Sequence, residues 1–158
     1  MKNNVLPLAL SSLPYVISIE YQRPVFKSMK WISSYQDSYR AIKQYLNDEN
    51  LDYKEKMWVM VLTRSHRLLS ISLLSTGGTY HTECPIKEIL QTCLLTNACA
   101  IIIVHNHPSG SLKFSNADVD LTEKIVDVLK LINVHLLDHL VITTEGFSSF
   151  SEEHFMKI

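Results

Sequence analysis

The sequence predicts an α/β fold of the α+β kind, a mixed β-sheet with helices packed against it. Three observations carry that expectation. Met57-Trp58-Val59-Met60-Val61-Leu62 and Ala98 to Val104 are unbroken apolar runs of strand length, as expected where both faces of a strand are buried. Segments of helical period alternate with them. Gly, Asn and Pro punctuate the boundaries between the two kinds of segment. A length of 158 residues suits one domain with a proper core, and 46% apolar with 20% charged residues suits a globular chain.

In chain order, residues 1–32 carry the weakest signal. Tyr15-Val16-Ile17-Ser18-Ile19 is a possible strand, and the segment is expected to be a weakly structured arm ahead of a domain spanning 33–158. Ser34-x-x-Asp37 resembles a capping box, and Tyr35, Tyr39, Ile42 and Leu46 repeat at helical spacing, predicting a helix over 35–47. The polar cluster Asn47-Asp48-Glu49-Asn50 reads as a loop. The run from Met57 and a second strand over 68–74, joined through Arg64-Ser65-His66, predict a hairpin, and Gly77-Gly78 a turn. Pro85 suits the first position of a helix with apolar face Ile86, Ile89, Leu90, Cys93 and Leu94, closed by Asn97. The strand from Ala98 delivers His105 at its C-terminal end, where catalytic groups of α/β sheets tend to lie. Ser115 caps a helix with apolar positions Val119, Ile125, Val126, Leu129 and Ile132, and a last strand runs from Val134 to Thr143, with Gly146 as its break.

Charge and cysteine usage narrow the function classes. The formal net charge is −1 and no dense Lys/Arg stripe occurs, so the charge pattern does not support a nucleic-acid or membrane-surface binder. Cys84, Cys93 and Cys99 make an odd set without a C-x-x-C pair, which fits a reducing cytoplasm better than a disulfide framework. The apolar stretch from Val5 to Leu10 is short and broken by Pro7, unlike a signal peptide, and no run approaches the roughly 18 apolar residues of a membrane span.

The chemistry concentrates in Val104-His105-Asn106-His107-Pro108-Ser109-Gly110, with Ser115 and Asp118 following. Two histidines at i and i+2 of an extended segment project to one side, and with a nearby carboxylate they match a catalytic zinc site, which has three protein ligands and an open position. A histidine at a strand end is more commonly a plain polar residue, but a pair with this spacing plus Asp118 is not explained that way. Asp118 has a second reading. Ser115-x-x-Asp118 is also a sound helix start, and capping is compatible with metal ligation because it fixes the carboxylate. His81-Thr82-Glu83 is like the H-x-E of zinc deaminases, yet no P-C-x-x-C follows; H-E-x-x-H, G-x-S-x-G and phosphate-binding glycine loops are absent from the sequence.

His105-Asn106-His107-Pro108-Ser109-Gly110, Ser115-x-x-Asp118 and Leu136-Leu137-Asp138-His139 together resemble the RadC family, within the JAMM/MPN metalloprotease superfamily. The resemblance covers about 33–158. It implies a cytidine-deaminase-like architecture, Zn²⁺ held by His105, His107 and Asp118, Ser115 supporting an oxyanion, and an upstream glutamate activating water. Glu55, ahead of Lys56-Met57-Trp58-Val59, stands where such sequences place that glutamate, and Glu83 and Glu88 are its competitors. An exposed charge at a strand entry is the plain alternative for Glu55. Asp138 and His139 match family positions; such a pair either anchors the sheet or orients a ligand histidine from behind. Cys84 replaces a histidine frequent before the proline. Longer RadC proteins carry an N-terminal helix-hairpin-helix region that residues 1–32 do not resemble.

The implied activity is zinc-dependent hydrolysis of an amide bond in a peptide or isopeptide substrate. Rival classes are a nuclease-like or DNA-repair accessory protein, which should show a basic groove where only Lys113 is evident, and a non-enzymatic interaction module on the same fold.

Overall fold

The computed structural model describes residues 29–47, 50–77 and 85–153. Tyr15–Ile19, His81, Glu83 and Cys84 lie outside these residues. Among the described residues the order is α1 (Tyr35–Leu46), β1 (Lys56–Leu62), β2 (Leu68–Thr76), α2 (Ile86–Thr96), β3 (Ala100–Asn106), α3 (Asn116–Lys130), β4 (His135–Ile142) and β5 (Phe147–Ser149).

The strands form one mixed sheet in the order β2-β1-β3-β4-β5. β1 pairs antiparallel with both β2 and β3, β3 pairs parallel with β4 across the α3 crossover, and β5 folds back antiparallel on β4. The interior strands β1 and β3 are apolar at every position up to His105 except the entering Lys56, because helices cover both faces. Alternation sorts their side chains. Trp58, Met60, Leu62, Ile102 and Val104 pack with Ala41 and Ile42 of α1 on one face. Met57, Val59, Val61, Ile101 and Ile103 pack with Ile89 and Cys93 of α2 and with Ile125 and Leu129 of α3 on the other. The product is a three-layer sandwich: α1, sheet, α2 with α3.

Local chemistry explains the ends. Ser34 caps α1, its hydroxyl accepting from the Asp37 N–H, and Asn47 and Asn97 close α1 and α2 in the left-handed region (φ 44° and 51°), which asparagine tolerates. Pro85 occupies the N-cap of α2 rather than its first turn. α3 stops at Lys130, and Ile132 lies in a turn that ends at left-handed Asn133.

The fifth strand was not among the expected elements. Phe147–Ser149 is only three residues, too short to show a period, and is made by the turn in which the Thr143 hydroxyl accepts from the N–H groups of Glu145 and Gly146. Upstream of α1, residues 30–32 join the outer edge of β2: the Leu68 N–H donates to the Lys30 carbonyl (2.8 Å) and the Ile32 N–H to that of His66 (2.9 Å).

Candidate metal centre

Two local devices bring the candidate ligands together. Period-two alternation along β3 puts His105 on the α2/α3 face with Ile101 and Ile103. The chain stays extended for one residue past the strand, where the His107 N–H donates to the Ile142 carbonyl (3.0 Å), so His107 follows onto the same side. The loop then turns at Gly110, whose φ of 77° suits glycine. At the start of α3, Ser115 forms a reciprocal capping box. Its hydroxyl accepts from the Asp118 N–H (3.2 Å), while its own N–H and hydroxyl both donate to Asp118 Oδ2 (2.7 Å each).

The result is a tight cluster. His105 Nε2 lies 2.9 Å from His107 Nε2 and 3.1 Å from Asp118 Oδ1, and His107 Nε2 is 3.5 Å from Asp118 Oδ2. Zinc bonds of about 2.0–2.1 Å in a tetrahedral array separate ligand atoms by about 3.3 Å, so the spacing suits one small cation. His105, His107 and Asp118 can therefore hold a metal ion. With Oδ2 taken up by Ser115, Oδ1 is the carboxylate oxygen available to it.

Charge accounting points the same way. The His107 Nδ1–H donates to the Ser111 carbonyl (2.8 Å), leaving Nε2 of a neutral ring as a bare lone pair beside another imidazole nitrogen and a carboxylate. Such a cluster needs a cation, either a proton or a metal. Without metal the proton is drawn in: the hydrogen bond to Asp118 raises the His107 pKa, against burial. Burial pushes the Asp118 carboxyl up, but its contacts with the imidazoles of His105 and His107 outweigh it and hold the acid well below the usual carboxylate range.

Glu55 sits immediately before β1. Met57 pairs with His105, so Glu55, two residues earlier, comes level with His107, two residues later, and on the same face. Its carboxylate is close enough to favour the charged form of His107, as the smallest contribution after Asp118, burial and Ser111. Glu88 is exposed in the first turn of α2.

Asp138 and His139 point to opposite faces of the sheet. Between Ile101 and Ile102 the β3–β4 register slips: Leu136 faces Ile101, but Asp138 faces Ile102 and His139 faces Ile103. This bulge changes the parity of β4 and turns His139 toward His105, with Nε2 2.8 Å from His105 Nδ1. Asp138 goes to the α1 side. There it accepts from the Ser149 hydroxyl (2.7 Å), the Ser151 N–H (3.0 Å) and the His139 N–H (2.8 Å), and borders a cavity of about 390 Å³ with Tyr35, Ser38 and Leu137. Burial raises the Asp138 pKa and lowers that of His139 well below the usual imidazole value.

Two further residues support this site and were not singled out by sequence reasoning. Asn106, between the histidines, is fully buried and faces away from them. Its Oδ1 accepts from the Lys56 N–H (2.7 Å) and its Nδ2 donates to the carbonyls of Leu51 (2.6 Å) and Lys54 (2.8 Å), pinning the segment that carries Glu55. Thr122, one helical turn after Asp118, is hydrogen-bonded to both the Asp118 carbonyl and His139. A polar residue buried in a strand is a usable signal for Asn106; for Thr122 only its spacing from Asp118 was available.

The comparisons with known proteins agree with this layout. Residues 32–155 match the family model described as a RadC-like JAB domain. Among curated relatives, a UPF0758 protein of Porphyromonas gingivalis is 36% identical over 73% of this chain and 50% of its own length. One of Leptothrix cholodnii is 37% identical over 87% of this chain and 58% of its own. The UPF0758 protein YkfG of Escherichia coli is 36% identical over 63% of each. The chain thus spans about half to two thirds of the length of these relatives. Since the family model takes in every described element from α1 to β5, including the strand, loop and helix start that gather the two histidines and the aspartate, the chain belongs to the RadC-like JAB domain family.

Proposed function

We propose that this chain is a zinc-dependent hydrolase that cleaves an amide bond in a peptide or isopeptide. The observation that supports the reading is the convergence of His105 Nε2, His107 Nε2 and Asp118 Oδ1, which could hold a metal ion at the C-terminal end of β3, with Glu55 entering the neighbouring strand beside them. His105, His107 and Asp118 would hold a zinc ion there, which would supply Lewis acidity for the scissile carbonyl and a lowered pKa for water.

The chain's own residues do the rest. Glu55 accepts a proton from the attacking water as oxygen bonds to the carbonyl carbon, then delivers it to the departing nitrogen, so one water is consumed and an acid and an amine are released. Asn106 sets where Glu55 stands. Ser115 holds Asp118 in place, and its hydroxyl reaches a substrate oxyanion only by giving up its bond to Oδ2.

The test is metal analysis of the purified chain beside a peptidase and isopeptidase screen. Glu55→Gln is expected to keep one equivalent of zinc while hydrolysis falls by about 10²–10⁴-fold. Undiminished hydrolysis in that variant removes Glu55 from the role; salt-dependent DNA binding with no amidase activity favours the nuclease-like alternative.

A further inference from the structure

A chain of hydrogen bonds runs behind the ligand cluster. The Thr122 hydroxyl lies 2.6 Å from the Asp118 carbonyl oxygen and 2.7 Å from His139 Nδ1, and His139 Nε2 lies 2.8 Å from His105 Nδ1. The hydrogens along this chain can be placed by counting. A carbonyl oxygen only accepts, so the single hydroxyl hydrogen of Thr122 must go to Asp118, because two bare oxygens at that distance repel. Toward His139 the hydroxyl is then an acceptor, and His139 Nδ1 carries a hydrogen. A neutral imidazole has one N–H, so His139 Nε2 is bare and accepts from His105 Nδ1–H. His105 is left with its lone pair on Nε2, the atom aimed at His107 and Asp118.

We propose that Thr122 and His139 are positioning residues that hold His105 in the Nδ1–H tautomer, so that its Nε2 lone pair faces the ligand cluster before any ion arrives. This rests on the reading of His105 as a metal ligand. The other tautomer would put a hydrogen on Nε2 and block ligation until it left.

The surroundings suit a fixed relay. His139 has no exposed surface, and its ring stacks on Phe150 with centroids 4.8 Å apart and planes inclined by 12°. Thr122 is 3% exposed. The bulge that turns His139 onto this face interrupts the β3–β4 pairing and sets Asp138 on the opposite face. Asp118 gains a double part: its carboxylate meets the histidines directly, and its carbonyl anchors the far end of the relay. One turn of α3 thereby sets both an oxygen ligand and the tautomer of a nitrogen ligand.

Thr122→Val removes the hydroxyl at nearly constant volume, and Thr122→Ser restores it. In long-range ¹H–¹⁵N spectra of the metal-free protein, recorded above the imidazole titration range, wild type and Thr122→Ser are expected to show His105 as the Nδ1–H tautomer. Thr122→Val should shift it toward Nε2–H. Zn²⁺ affinity, measured by competition with a chromophoric chelator, should fall about 10–100-fold in Thr122→Val and recover in Thr122→Ser. His139→Gln supplies a second variant, since its amide oxygen can accept from His105 Nδ1–H and should preserve the tautomer.

Wild-type tautomer and affinity in Thr122→Val overturn the proposal, as does a Thr122→Ser protein as weak as Thr122→Val. Should wild type bind no zinc, the metal reading fails, while the tautomer spectra still decide the relay.

Discussion

The two faces of the sheet each bury an aspartate, and the two acids are driven in opposite directions. Asp118, on the α2/α3 face, meets His105 and His107 and is held below the usual carboxylate range in spite of its burial. Asp138, on the α1 face, meets the Ser149 hydroxyl and the N–H groups of Ser151 and His139, and burial lifts it. Similar desolvation therefore leads to different outcomes. Neutral donors satisfy a carboxylate without repaying the cost of its charge, whereas imidazoles can supply an opposite charge. The arrangement at Asp138 ties the middle of β4 to the end of β5 and the turn after it. The arrangement at Asp118 leaves acceptor atoms facing one another and thereby makes a place for a cation.

The largest effect is expected from removing the cation's partners. His107→Ala should lower zinc affinity by more than about 10²-fold, beyond the usual loss for residues behind a ligand, and abolish hydrolysis with it. Asp138→Asn should leave zinc stoichiometry unchanged. Equilibrium dialysis of both variants checks the contrast, and zinc loss in Asp138→Asn would mean that the two faces are not independent.

A smaller effect tests how the sheet carries the base to the metal. Asn106→Ala frees three backbone groups of the 51–56 segment from their side-chain partner. Zinc should stay bound while kcat drops about 10–100-fold, because a displacement of about 1 Å at a reacting group is enough for that loss. Full kcat would show that β1–β3 pairing alone positions Glu55.

The legible part of this molecule is the part written locally. The apolar runs of β1 and β3 announced buried strands, and His105-x-His107 with the Ser115-x-x-Asp118 cap announced the cluster, since alternation and capping operate within a few residues. Glu55 entered only through resemblance. What brings it to the site is the antiparallel register of Met57 with His105, a long-range property. The separation of Asp138 from His139 was hidden for a related reason. Adjacent strand residues always alternate, but which of the two meets His105 depends on the bulge, and a bulge reflects how β4 accommodates β3 rather than any residue type. Thr122 shows the limit most clearly: its hydroxyl matters only because His139 is delivered above it. β5 was missed because three residues carry no period.

The smallest expected effect is on the acid stability of the metal-free protein, and it should have opposite signs on the two faces. For Asp118 the folded pKa lies below the unfolded value of about 3.9, so its contribution is fully present above that value and lost as the pH falls through it toward the folded pKa. His107, raised by the same contact, contributes below about 6.5 and loses that as the pH rises through its folded value; the two shifts describe one interaction and are counted once. For Asp138 the folded pKa is raised, so the fold favours the protonated acid and stability declines as the pH rises from the unfolded to the folded value. In urea titrations with a chelator present, Asp118→Asn should therefore cost most between about pH 4 and 6.5, and less toward pH 3 and above the folded His107 value. Asp138→Asn keeps an oxygen for the two N–H groups but takes the acceptor from the Ser149 hydroxyl, and should cost about 1–3 kcal/mol, with the larger cost at the acid end. Parallel pH trends in the two variants would mean that the histidines do not distinguish the two aspartates, and that the α2/α3 face owes its character to burial alone.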